Sequence, residues 1–293
     1  MIEKIKYKII KLNQLIFLLF FDLVRAFYSN KNTELLSIIK KNREVVNGGQ
    51  IFLSKAEYDL NNYGIPGHIF LKLNKDINQF PTYSDLFIFF SKYLEKQVSY
   101  LEIGVSVLKN FLQLNANLNS ANLFAYDINP IVPTHKYIFN KKNSEEYSNI
   151  YLGFNEKQKN ELVYFQGSVL ERKDTNNFNK YINNKKFNFI FSDALHEPDA
   201  VFQEYENLIK NNLDDEFILY FDDLDFEGLD STVQNIYHEL KKEYKNLYFT
   251  TFYVNGWIGQ HEKLHKNGII STIDFQKILK NQKIKLPKIT NRD

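Results

Sequence analysis

The chain has 293 residues, 44% hydrophobic and 25% charged, with 37 Lys and Arg against 35 Asp and Glu; these proportions exclude a disordered chain. It contains no cysteine, which excludes a disulfide scaffold, Cys-ligated zinc, iron–sulfur clusters and thiol nucleophiles. The near-neutral net charge of +2 averages two basic ends, residues 1–44 at net +5 and residues 263–293 at net +6, and an acidic middle. Only Arg25, Arg43, Arg172 and Arg292 are arginines among the basic residues, and the Lys-rich ends do not make the Arg-rich, aromatic patch that nucleic acid requires; no nucleic-acid partner is expected.

Ile5, Ile9, Leu12, Ile16, Leu19, Leu23 and Ala26 alternate at spacings of four and three and define one stripe of an amphipathic helix over 2–28. Its longest apolar run, 15–21, is far short of the roughly 20 residues of a membrane span. Two readings stay open: a helix packed on the body or on a second copy in a homodimer, or a basic helix resting peripherally on a membrane surface. A second helical pattern runs over 33–46 and meets a stop at Asn47-Gly48-Gly49. Another fits 84–95, with Ser84 as N-cap.

From residue 98 the pattern changes. β-rich runs at 98–103, 122–126, 162–165, 187–191, 217–221 and 247–254 alternate with helical windows at 108–118, 145–159, 199–212 and 228–244. Strand–helix alternation predicts a mainly parallel sheet covered on both faces, and near-continuous apolar strands such as FNFIF and FILYF suit it. The expected division is an N-terminal helical extension over 1–79, an α/β domain over 80–262 and a basic tail over 263–293.

In open α/β sheets the ligand crevice lies beyond the carboxyl ends of the strands, so the residues that follow each strand carry the chemistry. They are Glu102, Gly104 and Ser106 in LEIGVSV; Asp127 in AYDINP; Gly167 and Ser168; Asp193 and His196 in SDALH; and Asp222 and Asp223 in FILYFDD. In that order they resemble the class I S-adenosylmethionine-dependent methyltransferases, in the branch with Asp-x-x-His after the fourth strand, over residues 80–260. The resemblance implies a Rossmann-like, doubly wound α/β fold with a mainly parallel seven-stranded sheet. It also implies S-adenosylmethionine as cofactor, with Glu102 and Gly104 at its methionine end, Ser106 also cofactor-binding, Asp127 on the ribose and Gly167 and Ser168 beside the adenine. Ser168 stands where many relatives have Asp, and Leu108 where the family often has a further glycine, which would narrow the cofactor loop.

Asp193, Asp222 and Asp223 present hard oxygens suited to Mg²⁺, and such a cation lowers the pKa of a hydroxyl and orients it. Asp193 and His196 are the expected catalytic pair, His196 as general base. The expected reaction is O-methylation of a small-molecule or sugar hydroxyl in the cytoplasm. The rivals are a non-catalytic scaffold or membrane-surface interaction protein on the same fold, and a nicotinamide or nucleotide-sugar enzyme; the absence of G-x-G-x-x-G after 98–103 counts against the latter. Carboxylates after strands are also common as solvated turns and helix caps.

His261-Glu262-Lys263-Leu264-His265 matches H-E-x-x-H, the zinc-peptidase helix motif. No third ligand follows at a metzincin spacing, where Ser271 stands, and glycines flank the motif, so a loop over the pocket is the better expectation. His261 and Trp257 would then touch the acceptor, with Tyr83 and Tyr126 as further pocket-lining candidates. Residues 161–167 resemble a viral protease site used in engineered proteins, but they supply the third strand and its glycine turn and read as native.

Overall fold

The alternation after residue 98 produces one mixed β-sheet with helices on both faces. The computed structural model describes residues 30–54, 81–141, 149–254 and 264–292; the amphipathic stripe over 2–28, His261, Glu262 and Trp257 lie outside them. Ten strands run in chain order: β1 Ser99–Ile103, β2 Asn122–Asp127, β3 Asn140–Lys141, β4 Ile150–Asn155, β5 Asn160–Gln166, β6 Phe187–Ser192, β7 Leu213–Phe221, β8 Tyr248–Val254, β9 His265–Ser271 and β10 Thr290–Arg292. Their order across the sheet is β10-β8-β9-β7-β6-β1-β2-β5-β4-β3.

The central block β5-β2-β1-β6-β7 is parallel throughout. It reverses direction of winding at β1, which makes the switch point between β1 and β6 the natural crevice. The helices are α1 Thr33–Ser54, α2 Tyr83–Ser91, α3 Lys109–Asn117, α4 Arg172–Ile182, α5 Pro198–Glu204, α6 Leu229–Leu240 and α7 Phe275–Asn281. Strand side chains alternate between two cores. Tyr100, Phe189, Phe191 and Tyr220 pack with α1, α2, α3 and α7; Leu101, Ile103, Ile190 and Leu219 pack with α4, α5 and α6. This is a doubly wound, Rossmann-like α/β arrangement.

Several sequence expectations are corrected. Among the described residues the sheet has ten strands rather than seven, because antiparallel strands extend both edges. The helix expected over 145–159 is instead β4 from Ile150, pairing antiparallel with β5. Its charges mimic a helix face, but the Asn155 side chain accepts the amides of Lys157 and Gln158, and Lys159 takes a left-handed φ of 58°, which closes a hairpin. The stop expected at 47–49 does not act, since α1 continues to Ser54. The N-cap of α2 is Thr82 rather than Ser84, in a reciprocal capping box with Asp85. Helix α4 was hidden by its polarity, with only Thr175, Phe178 and Ile182 buried. Strand β9 was hidden because HKNGIIS has a short apolar run; its partners β7 and β8 on either side make it a strand.

Helix α1 is tied into this body. Arg43 pairs with Asp85 at 3.0 Å and Asn42 donates to Asp85 at 2.7 Å, with both acid and base buried. Asp85 also accepts the Thr82 backbone amide at 2.8 Å, so one buried carboxylate fixes two helices. Such a pair is costly to break because the survivor is left buried and uncompensated.

Candidate active site

Beyond the carboxyl ends of β1, β2, β5 and β6 lies a cleft of about 180 Å³, lined by Gly104, Tyr126, Asp127, Asn129, Gly167, Ser168, Ala194 and Leu195 among others. Backbone pairing continues past the strand ends and stiffens its floor. The Gly104 amide donates to Tyr126, the Gly167 amide to Asp127 and the Asp193 amide to Ile103, at 2.8–2.9 Å. Gly104 needs to be glycine twice over. Its φ is +84°, and a Cβ there would lie 2.4 Å from the Asp193 carbonyl oxygen and 2.6 Å from Ala194 Cα.

Asp127 is buried and makes four bonds to its own chain. One oxygen accepts the amides of Val105 and Ser106 at 2.8 and 2.9 Å; the other accepts the Asn129 amide and side chain at 2.8 and 3.1 Å. A carboxylate offers about four acceptor positions, so its oxygens are committed to holding the β1–α3 loop over the cleft. A ribose hydroxyl bound there would have to take the place of one of these donors.

Leu108 does not narrow the cleft. Its φ is +62° and its side chain is fully buried in the core with α2 and α3. The position has a left-handed backbone, which glycine would adopt without strain. Left-handed geometry costs an L-residue about 1–2 kcal/mol, and burying a leucine returns about 1.5–3 kcal/mol, so the leucine is tolerated.

Glu102 does not line the cleft either. It sits buried beneath it, accepting from Tyr100 Oη at 2.9 Å and Asn110 Nδ2 at 2.9 Å. Burial pushes its carboxyl up to about 8, against these two hydrogen bonds. Ser106 does not line the cleft; its backbone is left-handed at φ +47° and its amide bonds Asp127.

Next to the cleft, at the ends of β6, β7 and β9, is a cluster of acids and imidazoles. His196 Nε2 lies 3.3 Å from Asp193 Oδ1, and His196 Nδ1 lies 3.6 Å from Asp223 Oδ2. The His196 ring stacks on Phe226 with centroids 5.0 Å apart. His265 Nδ1 hydrogen-bonds Asp223 Oδ1. Asn267 Nδ2 donates to Asp222 Oδ1 at 2.5 Å, and the Asp223 amide donates to the same oxygen at 2.8 Å.

The electrostatics follow from crowding. Desolvation, then the neighbouring carboxylates, raise Asp222 well above the usual range. Desolvation raises Asp193 as well, partly offset by His196. The bond to Asp193 raises His196. For His265, burial alone would lower the imidazole, but the bond to Asp223 and the surrounding acids outweigh it and the net direction is upward. Tyr83 completes the wall: its phenol is raised by burial, with Asp193, Asp222 and Glu102 adding to the shift.

Among the predicted site residues, the structure brings Gly104, Asp127, Gly167 and Ser168 to the cleft, and Asp193, His196, Asp222 and Asp223 to the cluster. Residues 193–196 join the two. His265 and Asn267 belong to the cluster although strand-end reasoning had no means of finding them. His265 opens a β-strand, so the helical i, i+4 face that a zinc peptidase needs is absent at that residue. As the side chains stand, no three acid or imidazole groups converge as a metal cage among the described residues. Asp223 is turned toward two imidazoles. Asp193 and Asp222 each carry a second oxygen for which no hydrogen bond is seen among the described residues. Asp193 and Asp222 would be the carboxylates available to a hydrated Mg²⁺. No helix among the described residues is long and apolar enough to cross a membrane.

No protein-family model matches the chain, and no curated protein sequence matches it. Solved structures with similar folds include a putative caffeoyl-CoA O-methyltransferase from Staphylococcus aureus, at 18% identity and TM-score 0.39, covering 73% of this chain and 96% of that one. A putative O-methyltransferase from Klebsiella pneumoniae has 12% identity and TM-score 0.38, covering 85% and 93%. The O-methyltransferase TomG from Streptomyces achromogenes, in complex with SAM, has 11% identity and TM-score 0.39, covering 78% and 97%. Likenesses of this size carry no functional weight, which falls on the strand-end geometry.

Proposed function

We propose that the protein is an S-adenosylmethionine-dependent methyltransferase acting on a hydroxyl of a small molecule or sugar, with a divalent cation assisting. The observation that carries this is the join between the strand-end cleft and an acid–imidazole cluster through the four residues Asp193–His196. Bound S-adenosylmethionine supplies an electrophilic methyl on a sulfonium. On this reading Gly167 and Ser168 flank the adenine, Asp127 exchanges a loop donor for a ribose hydroxyl, and Gly104 lets the chain approach the methionine end. Glu102 supports that end from below through Asn110 and Tyr100.

At the cluster, Asp193 and Asp222 would hold the cation, which would lower the pKa of the acceptor hydroxyl and orient it toward the methyl. The proton it gives up would pass to the Asp193–His196 pair. His196 is held by Asp193 at one nitrogen, by Asp223 3.6 Å from the other and by Phe226 on its face. Most of the acceleration then comes from alignment and fixed charge.

The scaffold reading has one observation in its favour: Asp127 is already satisfied by four donors of its own chain. Calorimetric titration with S-adenosylmethionine separates the two. The methyltransferase reading expects saturable binding to the wild type and at least tenfold weaker binding to Asp127→Ala. No heat at millimolar ligand would overturn it in favour of the scaffold.

A further inference from the structure

We infer that Lys277 and Lys280 of α7, with Lys283, Lys285 and Lys288 after it, form a docking face for an anionic membrane surface. Residues 275–292 hold these five lysines and Arg292 and no acid. All five lysines are exposed. Arg292 is paired with Asp230, which also pairs with Lys266. Lys277 and Lys280 stand three residues apart, on one side of their helix. They border a groove of about 520 Å³, lined also by Asp274, Gln276, Ile284 and Ile289. Asp274, the one acid of that lining, accepts the Lys277 amide and caps α7.

The fold brings the two basic ends of the chain together at this face. The Lys285 amide donates to Asn30 Oδ1 at 2.9 Å, and Asn32 Nδ2 donates to the Gln282 carbonyl at 3.2 Å. Ile284 and Leu286 are buried in one core with Leu35, Ile38 and Ile39 of α1. Buried apolar residues thus alternate with exposed Lys283 and Lys285, which anchors the segment and leaves its charges outside. Residues 1–44 carry net +5 and residues 263–293 net +6, so charges far apart in sequence act at one place.

The chemistry favours a lipid surface over nucleic acid. The free cations of the face are lysines, which act as point charges, whereas nucleic-acid sites draw on arginine forks and open aromatic faces. Tyr253, the aromatic beside them, has Lys288 over its ring at 4.7 Å. The apolar stripe Ile5 to Ala26 ends just before Asn30, where the chain meets this face. A basic patch beside an amphipathic segment supplies the two signals that stable peripheral binding requires, and a cluster of four to eight lysines is the usual footprint for anionic lipid.

The test is co-sedimentation of the full chain with vesicles of phosphatidylcholine alone and of phosphatidylcholine mixed with phosphatidylglycerol. Binding to the mixed vesicles is expected, at least tenfold weaker to the neutral ones, and weakened by added salt. Each lysine near such a surface contributes about fivefold in affinity. The variant Lys277→Gln/Lys280→Gln/Lys283→Gln is therefore expected to bind the mixed vesicles at least tenfold more weakly. Exposed substitutions of this kind cost little stability, and circular dichroism checks that the fold is kept. Equal sedimentation of variant and wild type overturns the inference, as does equal binding to neutral and mixed vesicles. Retention of single-stranded RNA without vesicle binding overturns it in favour of nucleic acid, and dimerisation without vesicle binding in favour of a second copy.

Discussion

The two halves of the candidate site are built from different materials. The cleft is made of backbone: amides of residues 104–106, 129 and 167 set its shape, and its one carboxylate, Asp127, is spent on holding a loop. The cluster is made of side chains: two imidazoles, three carboxylates and an amide, paired as Asp193–His196, Asp223–His265 and Asp222–Asn267. A backbone-built half tolerates little change in shape but much change in charge. A side-chain-built half should behave in the opposite way.

The largest expected effect is at Gly104. Gly104→Val puts a Cβ within 2.4 Å of the Asp193 carbonyl and forces a branched residue into φ +84°. Steric strain of that kind is expected to cost about 3 kcal/mol or more and to abolish cofactor binding, as read by thermal melting and calorimetry. Near-wild-type melting would mean that the floor of the cleft is softer than its bonds indicate.

Glu204, at the end of α5, is the next test. It is almost fully buried, one of its oxygens has no hydrogen-bond partner among the described residues, and a π-helical turn, Tyr205–Ile209, begins after it. Burial pushes its carboxyl up to about 8. The folded chain therefore holds a proton that the unfolded chain releases above about 4.5. That contribution to stability is complete below pH 4.5 and is lost as pH rises toward 8. Glu204→Gln cannot lose a proton, so its stability relative to wild type is expected to improve from pH 5 to pH 8, with a limiting slope of about 1.4 kcal/mol per pH unit. Urea melts at several pH values measure it; parallel curves would contradict it.

The smallest effect is at Leu108. Leu108→Gly removes strain of about 1–2 kcal/mol and loses burial of about 1.5–3 kcal/mol, so a net loss near 1 kcal/mol is expected with cofactor affinity unchanged. A change in affinity would mean that the leucine does shape the cleft.

The same contrast decides what was legible in the sequence. Gly104, Asp127, Gly167, Asp193 and Asp222 each follow a strand directly, and the ends of parallel strands share one edge of the sheet, so local pattern was enough to gather them. His265 and Asn267 come from β9, whose short apolar run looks like a loop until two neighbouring strands pair with it. The H-E-x-x-H spacing drew attention to His265 for a helical reason that the strand removes. Leu108 looked like a departure at the cofactor loop because a sequence cannot say that its side chain turns into the core. In β4, charges at helical spacing concealed a hairpin held by Asn155.

The most direct test is a crystal structure with S-adenosylhomocysteine and Mn²⁺. The account predicts the adenosyl group in the cleft between Gly104 and Ser168, its ribose on Asp127 with a loop donor displaced, the sulfur directed toward Asp193, and the ion on Asp193 and Asp222. An empty cleft with Asp127 still bound to the amides of Val105 and Ser106, or a ligand seated elsewhere on the sheet, would contradict it.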